Sequence, residues 1–497
     1  VFIYLESGGQ SMFRWIRRKP RIGRTARRRG LISFRPGLEG LEDRSLMSAN
    51  VLQTNLVSDL AGVAQFQDPN LVNPWGIAES TGSPFWVSDN NAGVSTLYNT
   101  AGKPQKLVVS IPTPGDPTGA TGAPTGTVFN IDLAGKGFMV SNGTTSAPAI
   151  FLFATEDGTI AGWNPAVNPI GSDPTKAGTF ATLAVPNSTT PTTAGGAVYK
   201  GLAIATDASG RTLLYVTNFR SGQVEVYGTD FKPVTTLPPD AFTDPDLPKG
   251  YAPFNIQELG GKIYVTYAKQ DDAKHDDVPG PGRGFVDVFN LDGSGGQRLI
   301  SRDQLNAPWG LAIAPPSFGS LAGALLVGNF GDGRINAFDA KGNFLAGLKD
   351  PDGEPIQIDG LWALKVGNGA AGGDANTVYF TAGLDHEQHG LFGALSPVAP
   401  GTPEGPAEAQ AVQAALDIVQ LDLTAILTDI NTGASEATLI QAIHTLNADV
   451  VALVKAEIRF AVDQAHDSGK EGSTHHFALD VLEDIFADLG RLTNDMG

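Results

Sequence analysis

The chain has no cysteine among its 497 residues, which excludes disulfides and thiolate-held metals. Export is not thereby excluded, because a domain of this size can bury a core large enough to need no staples. Charge is sparse, with Asp, Glu, Lys and Arg making up 17% of residues against 41% hydrophobic, the balance of a globular chain. No run of 18 apolar residues occurs, so no transmembrane helix is expected. Positive charge is scarce beyond the N-terminus. Residues 1–48 hold 11 Lys and Arg against 4 Asp and Glu, and the remainder holds 23 against 48. Such a body repels nucleic acid and anionic membranes at long range. It suits cations and neutral ligands, although solubility alone also accounts for an acidic surface. The GxSxG elbow, the HExxH motif and the P-loop are all missing; Gly280–Gly284 lacks the helix that a phosphate loop needs.

What is plentiful is Gly and Pro, 61 and 33 residues, which favours many turns between many short strands. Before that part begins, residues 1–50 read as a disordered basic leader, with Met12 the expected start. No apolar h-region follows the basic stretch, so neither an ordinary signal peptide nor a twin-arginine signal at Arg17-Arg18-Lys19 is assigned. Leu38–Ala49 (LEGLEDRSLMSA) resembles a bacterial sorting pattern, LEPLEDRxLLSA, departing from it at Gly40 and Met47. The resemblance implies a secreted or cell-surface protein. The competing reading is a basic arm that binds nucleic acid.

Residues 51–396 carry an internal repeat. Asn73-Pro74-Trp75-Gly76-Ile77-Ala78 returns as Ala307-Pro308-Trp309-Gly310-Leu311-Ala312. Degenerate copies begin at Pro124, Lys200, Pro253 and Asp359. Each leads into a β-rich run, a polar turn and a second alternating run, as in FWVSDNNAGVSTLY (85–98) and LLVGNFGDGRINAFD (325–339). Six copies occur, and their β-rich runs, beginning at 85, 151, 214, 263, 325 and 378, recur about 50–65 residues apart. Period-2 alternation makes half-buried strands, and the Asn, Asp and Gly between them make hairpins. One such sheet cannot cover both faces, whereas six arranged radially cover one another. The expected fold is all-β, a six-bladed β-propeller. The Pro-Trp-Gly run is strand A at the axis, and the weak runs near 104–111 and 343–348 are strand D. The Trp reads as a wedge between blades or as a ligand platform.

From Gln53 to Leu395 the chain resembles a family of uncharacterised bacterial propeller proteins, many bearing export signals. The residues that carry this are DPNLVNPWGIAES, PFWVSDNNAGVSTLYN, FATEDGTIAGWN, YVTYAKQDDAKHDDV and LLVGNFGDGRINAFD. The resemblance implies fold and export but no activity. More distantly, the rhythm G-[IL]-A, [YW]-V-[ST]-[DN], G-x-[IV]-x-[VA]-[FY] is similar to NHL repeats.

In a propeller the B–C loops share one face. Here they are 89–93, 156–158, 218–222, 267–284, 329–333 and 383–390. They carry Asp89, Asn90, Glu156, Asp157, Asn218, Asn329 and Asp332, oxygen donors suited to Ca²⁺ but equally the residues that hairpin turns prefer. The fourth loop holds Asp271, Asp272, His275, Asp276 and Asp277, and the sixth holds His386, Glu387 and His389. Imidazoles with carboxylates suit Zn²⁺ or general acid–base work, and exposed polar loops are the plain alternative. The candidate metal ligands are therefore Glu156, Asn218, Asp271, Asp272, His275, Asp276, Asp277, Asn329, His386, Glu387 and His389, for one divalent cation, Ca²⁺ or Zn²⁺.

Pro397–Pro406 reads as a linker. Apolar stripes at 412–430, 439–458 and 478–492 then predict an all-α, three-helix domain over 407–497, acidic with 16 Asp and Glu against 4 Lys and Arg in 404–497. Three functions compete. One is an extracellular binding module that takes a glycan, peptide or protein through its B–C loop face. Another is a metal-dependent, lactonase-like hydrolase with a cation at the channel, by analogy with other six-bladed propellers. The last is a surface-structural protein that oligomerises through the helical tail.

Overall fold

The period-2 runs become six blade sheets, antiparallel from the first strand to the fourth, beside a small hairpin of Met139–Ser141 and Ser146–Pro148, in the computed structural model, which describes residues 50–172, 178–190, 195–351 and 353–398. The expected leader, the linker beyond residue 398 and the helical domain lie outside the described residues. Blade 1 runs outward from Pro74–Ala78 through Phe85–Asp89 and Val94–Tyr98 to Val109–Ser110. Blade 2 comprises Pro124–Phe129, Phe151–Thr155, Thr159–Trp163 and Thr182–Pro186. Blade 4 comprises Tyr251–Leu259, Lys262–Lys269, Phe285–Phe289 and Gln297–Ser301, and blade 5 comprises Pro308–Ile313, Leu325–Asn329, Ile335–Phe338 and Phe344–Gly347. Blade 3 stops at three strands, Tyr199–Thr206, Thr212–Asn218 and Gln223–Tyr227. Its fourth position is taken by a turn-rich segment that touches the sheet through the bridge Tyr227–Pro233.

The first strand of each blade packs against the first strand of the next, and the sixth returns to the first. The order A to D from axis to rim is the one expected from the repeat. Closure is different. The outer strand of blade 6 (Leu361–Val366, Val378–Gly383, His389–Pro397) is Val51–Ser58 from the other end of the chain, paired antiparallel from Val51 opposite Pro397 to Ser58 opposite Leu391. Such pairing removes two open edges at once.

Small residues let the inner strands crowd. A Cβ added at Gly76 would lie 2.5 Å from the Thr125 carbonyl oxygen, and one at Gly126 would lie 2.4 Å from the Leu202 nitrogen. Where blade 4 has Asn255 instead, its amide donates to the Trp309 carbonyl at 2.7 Å, so the wider residue becomes a strut. Aromatic rings fill the spaces between blades, as where Trp86 stacks on Phe151 at 4.2 Å. No helix of the described residues is long and apolar enough to cross a membrane.

Candidate functional site

Each inner strand carries a register shift near its start, between Pro74 and Ile77, Tyr199 and Leu202, Pro253 and Ile256, and Leu361 and Leu364. Irregularities of this kind re-aim side chains. The repeat aligns Trp75, Thr125, Lys200, Phe254, Trp309 and Trp362 at this place. The aromatic members meet one another: Trp75 stacks on Trp362 at 3.5 Å, and Trp309 sits edge-on to both at 6.1 and 5.9 Å. Phe254 joins at 6.5 Å from Trp75. Trp75, Trp309 and Trp362 are 2%, 4% and 1% exposed. They plug the channel at its axis, a cluster shared by blades 1, 5 and 6 where the sequence suggests a wedge between two blades or a ligand platform.

Lys200 is the one charged member of this ring, and it is 1% exposed. Its ammonium lies 5.0 Å from the Trp75 ring centre and 5.8 Å from that of Phe219, within cation–π reach. It donates to Glu156 Oε1 and lies 3.4 Å from Asp276 Oδ1. Burial alone would push this ammonium down, but Glu156 and then Asp276 together hold it above the ordinary lysine value. Three blades thus meet at one nitrogen: Lys200 from blade 3, Glu156 from the second B–C loop and Asp276 from the fourth.

Around this pair the well is built from loops. Asn90 donates to Glu156 Oε2 at 2.9 Å. His275 Nδ1 lies 2.8 Å from Asp276 Oδ1. That contact raises the imidazole, and it is the first cause holding Asp276 down at about 2. Asp277 behaves oppositely: burial pushes its carboxyl up to about 7 while Lys200 pulls it down. Its Oδ2 is buried without a partner among the described residues. Burial likewise raises Glu387, which accepts from Asn73 at 2.8 Å. Asn73 in turn accepts from Trp362 Nε1 at 2.9 Å, tying the rim to the plug. Asp385, His386 and Glu387 have φ of 49°, 54° and 66°, a left-handed run of non-glycine residues that costs on the order of 1–2 kcal/mol each. Strain of this kind gathers where a chain is held for use, and here it brings Glu387 to the well.

The sequence candidates therefore divide. Glu156, His275, Asp276, Asp277 and Glu387 come together. Ligand atoms of Glu156, His275 and Asp276 lie within 4.8 Å of one another. Asn218 instead donates to Glu225 at 2.7 Å, whose other oxygen accepts from Tyr199 and Tyr227. Asn329 bonds the Gln304 carbonyl and Asp332. Asp271 accepts from the His275 backbone at 2.8 Å and so shapes the loop. Asp272 is exposed, His389 pairs with Asp59 at 2.7 Å, and His386 belongs to the strained turn. Lys200, Asn73 and Asn91, whose amide donates to the Glu387 carbonyl at 2.7 Å, are not among the sequence candidates. Aligning Lys200 with the ring tryptophans would have singled it out.

The opposed carboxyls give a pH dependence. The raised Asp277 costs no stability below the ordinary carboxyl value near 3.8. The cost grows as the unfolded chain ionises and is complete above about 7. Asp277→Asn is expected to stabilise the chain at about pH 8 and to leave it unchanged at about pH 4. Urea midpoints at both values check this, and a gain of equal size at both would count against it.

No protein-family model matches the chain. It is similar to uncharacterised proteins of Acanthamoeba polyphaga mimivirus. One is 34% identical over 342 residues, covering 68% of this chain and 78% of the relative. Another is 34% identical over 345 residues, covering 68% and 84%. Among solved structures, a streptogramin B lyase matches 70% of this chain and 97% of its own at 12% identity and a TM-score of 0.35. An α-L-arabinanase of Penicillium chrysogenum complexed with arabinobiose matches 70% and 98% at 14% identity and 0.40.

Proposed function

The chain belongs to the family of these uncharacterised mimivirus proteins, and we propose from that premise that its propeller is an extracellular binding module whose ligand enters the B–C loop well over Lys200. The observation that carries this is the buried Lys200 ammonium held by Glu156 and Asp276 in a ring otherwise filled by aromatic rings and a threonine. A charge buried on the axis is costly unless its partners hold it. The partners here also leave Asp276 as an exposed acceptor at the rim, with Glu387 beside it and the buried carboxyl of Asp277 beneath. Such a rim favours a ligand rich in proton donors, such as glycan hydroxyls or a peptide amine, and disfavours anions.

The hydrolase reading needs a divalent cation where Glu156, His275 and Asp276 converge. The Lys200 ammonium already supplies positive charge to two of these three groups, and a second cation beside it would meet like charge. The binding reading is therefore preferred. Glycan arrays and matched peptides with free or acetylated amines test it. Binding is expected to weaken about tenfold in Asp276→Asn, the loss of one charge-assisted hydrogen bond. Indifference of every bound probe to Asp276→Asn and Asp277→Asn would sink it. So would one Ca²⁺ or Zn²⁺ per chain that is lost in Glu156→Gln.

A further inference from the structure

The two ends of the propeller differ in what they expose. Successive strands of a blade are antiparallel, so the B–C loops stand at one end and the A–B and C–D connections at the other. Among the described residues the exposed large apolar side chains are Leu52, Ile131, Met139, Ile170, Ile313 and Phe344, from 36% to 65% exposed. All six belong to the second end. Ile313 closes the inner strand of blade 5, and Ile131 follows that of blade 2. Met139 lies in the hairpin between the first two strands of blade 2, and Ile170 in the connection between its last two. Phe344 opens the outer strand of blade 5. Leu52, on the outer strand of blade 6, stands opposite Ser396, where the neighbouring strand is ending. Single exposed apolar residues are ordinary on a surface, but a set confined to one end marks a contact surface.

The chain leaves the propeller at this same end. Pro397 is the last residue of its strand in blade 6, and the Val398 N–H donates to the Asn50 carbonyl at 3.1 Å, beside Leu52. We infer that the segment 407–497 of this chain is what covers the apolar end, laying its apolar stripes across blades 2, 5 and 6. Reach allows it. Residues 399–406 span up to roughly 25–30 Å when extended, whereas a blade of four strands is about 15 Å wide. Chemistry favours it as well. Leu416, Leu423, Leu446, Val450, Leu482 and Leu489 belong to stripes that need a surface to bury against. Residues 404–497 also hold 16 Asp and Glu against 4 Lys and Arg. Such a segment is repelled from the loop end, where Glu156, Asp272, Asp276 and Glu387 gather. The apolar end instead carries exposed Lys103, Lys136, Lys232, Lys262 and Lys341 on its connections, among aspartates such as Asp132 and Asp230. This cover lies away from the loop well and does not depend on what the well binds.

The absence of cysteine gives a direct test on the full chain. Ile131→Cys and Phe344→Cys each place one thiol on the apolar end, and Asp272→Cys places one on the loop end. All three positions are exposed, so the fold tolerates the change and the label. Each variant is labelled with benzophenone maleimide, mixed with isotopically heavy wild-type chain and irradiated, and the joined peptides are mapped by mass spectrometry. Both apolar-end positions are expected to join to peptides of 407–497 from the same chain, with about tenfold or more the yield from Asp272→Cys. Adding Ile131→Glu and Ile313→Glu to the Phe344→Cys chain sets carboxylates against the acidic segment and is expected to cut that yield severalfold. No joining to 407–497 from either position overturns the inference, as does equal yield from all three positions or a yield unmoved by the paired glutamates. Joining mainly to the heavy chain also overturns it and makes the apolar end an interface between copies.

Discussion

Deleting residues 50–58 is expected to abolish cooperative folding, even though it removes none of the six inner strands. Val51–Ser58 is the outer strand of the last blade, and its partner strand His389–Pro397 lies more than 330 residues away. Val51, Leu56 and Val57 are 1%, 6% and 0% exposed, and each buried side chain of this kind contributes roughly 1.5–3 kcal/mol. With the lost ladder bonds, the total reaches the roughly 5–15 kcal/mol net stability of an ordinary domain. The deletion also opens the edge of His389–Pro397, a long strand with Leu391, Phe392 and Leu395 buried on it, and such an edge invites aggregation. Size-exclusion chromatography and urea unfolding check the result. A sharp transition at the wild-type midpoint would show that the ring does not depend on this strand. Val57→Asp makes the same point in place, by putting a carboxylate where there is no exposure.

Lys200→Met should cost about 3–5 kcal/mol, because breaking a buried ion pair leaves the other charge uncompensated. The residue left behind is Glu156, whose side chain is 13% exposed. Asp276, at 66% exposure, is solvated and contributes little to this figure. The double variant Lys200→Met with Glu156→Gln should recover much of the loss, since neutral groups of similar shape replace both charges. Urea midpoints of the four proteins form the cycle. If the single variant loses less than about 1 kcal/mol, or if the second change brings no recovery, Lys200 is not held as described. The same cycle bears on function, because a recovered but silent protein would show that the charged pair serves the ligand and not the fold.

Several parts of this arrangement were legible along the chain. The Pro-Trp-Gly copies marked the inner strands, and the six Asn/Asp/Gly turns marked the B–C loops in their true places. The glycine that follows Trp75 and the one that follows Thr125 are both points of close approach between inner strands. The loops at 267–284 and 383–390 were readable as the chemically rich ones. Other parts were not. Asn218 and Asn329 look like channel ligands in sequence but are spent on hairpins and on Glu225. Lys200 looks like a decayed repeat position and is the centre of the well. Nothing local distinguishes Asp276 from Asp277, yet one is held at about 2 and the other pushed to about 7. The difference is whether His275 lies beside the carboxyl or burial outweighs the pull of Lys200 on it.

The sequence by itself determined the repeat, the strand order within a blade, the loop face and the crowding at the axis. All of these are short-range matters, set by alternation, turn chemistry and side-chain size within about a dozen residues. The tertiary structure decided closure by Val51–Ser58, the plugging of the channel by Trp75, Trp309 and Trp362, and the meeting of Glu156, Lys200 and Asp276. Those depend on which blades become neighbours around a ring. Charge and burial at such a meeting point come from residues tens to hundreds of positions apart, and no local pattern encodes them.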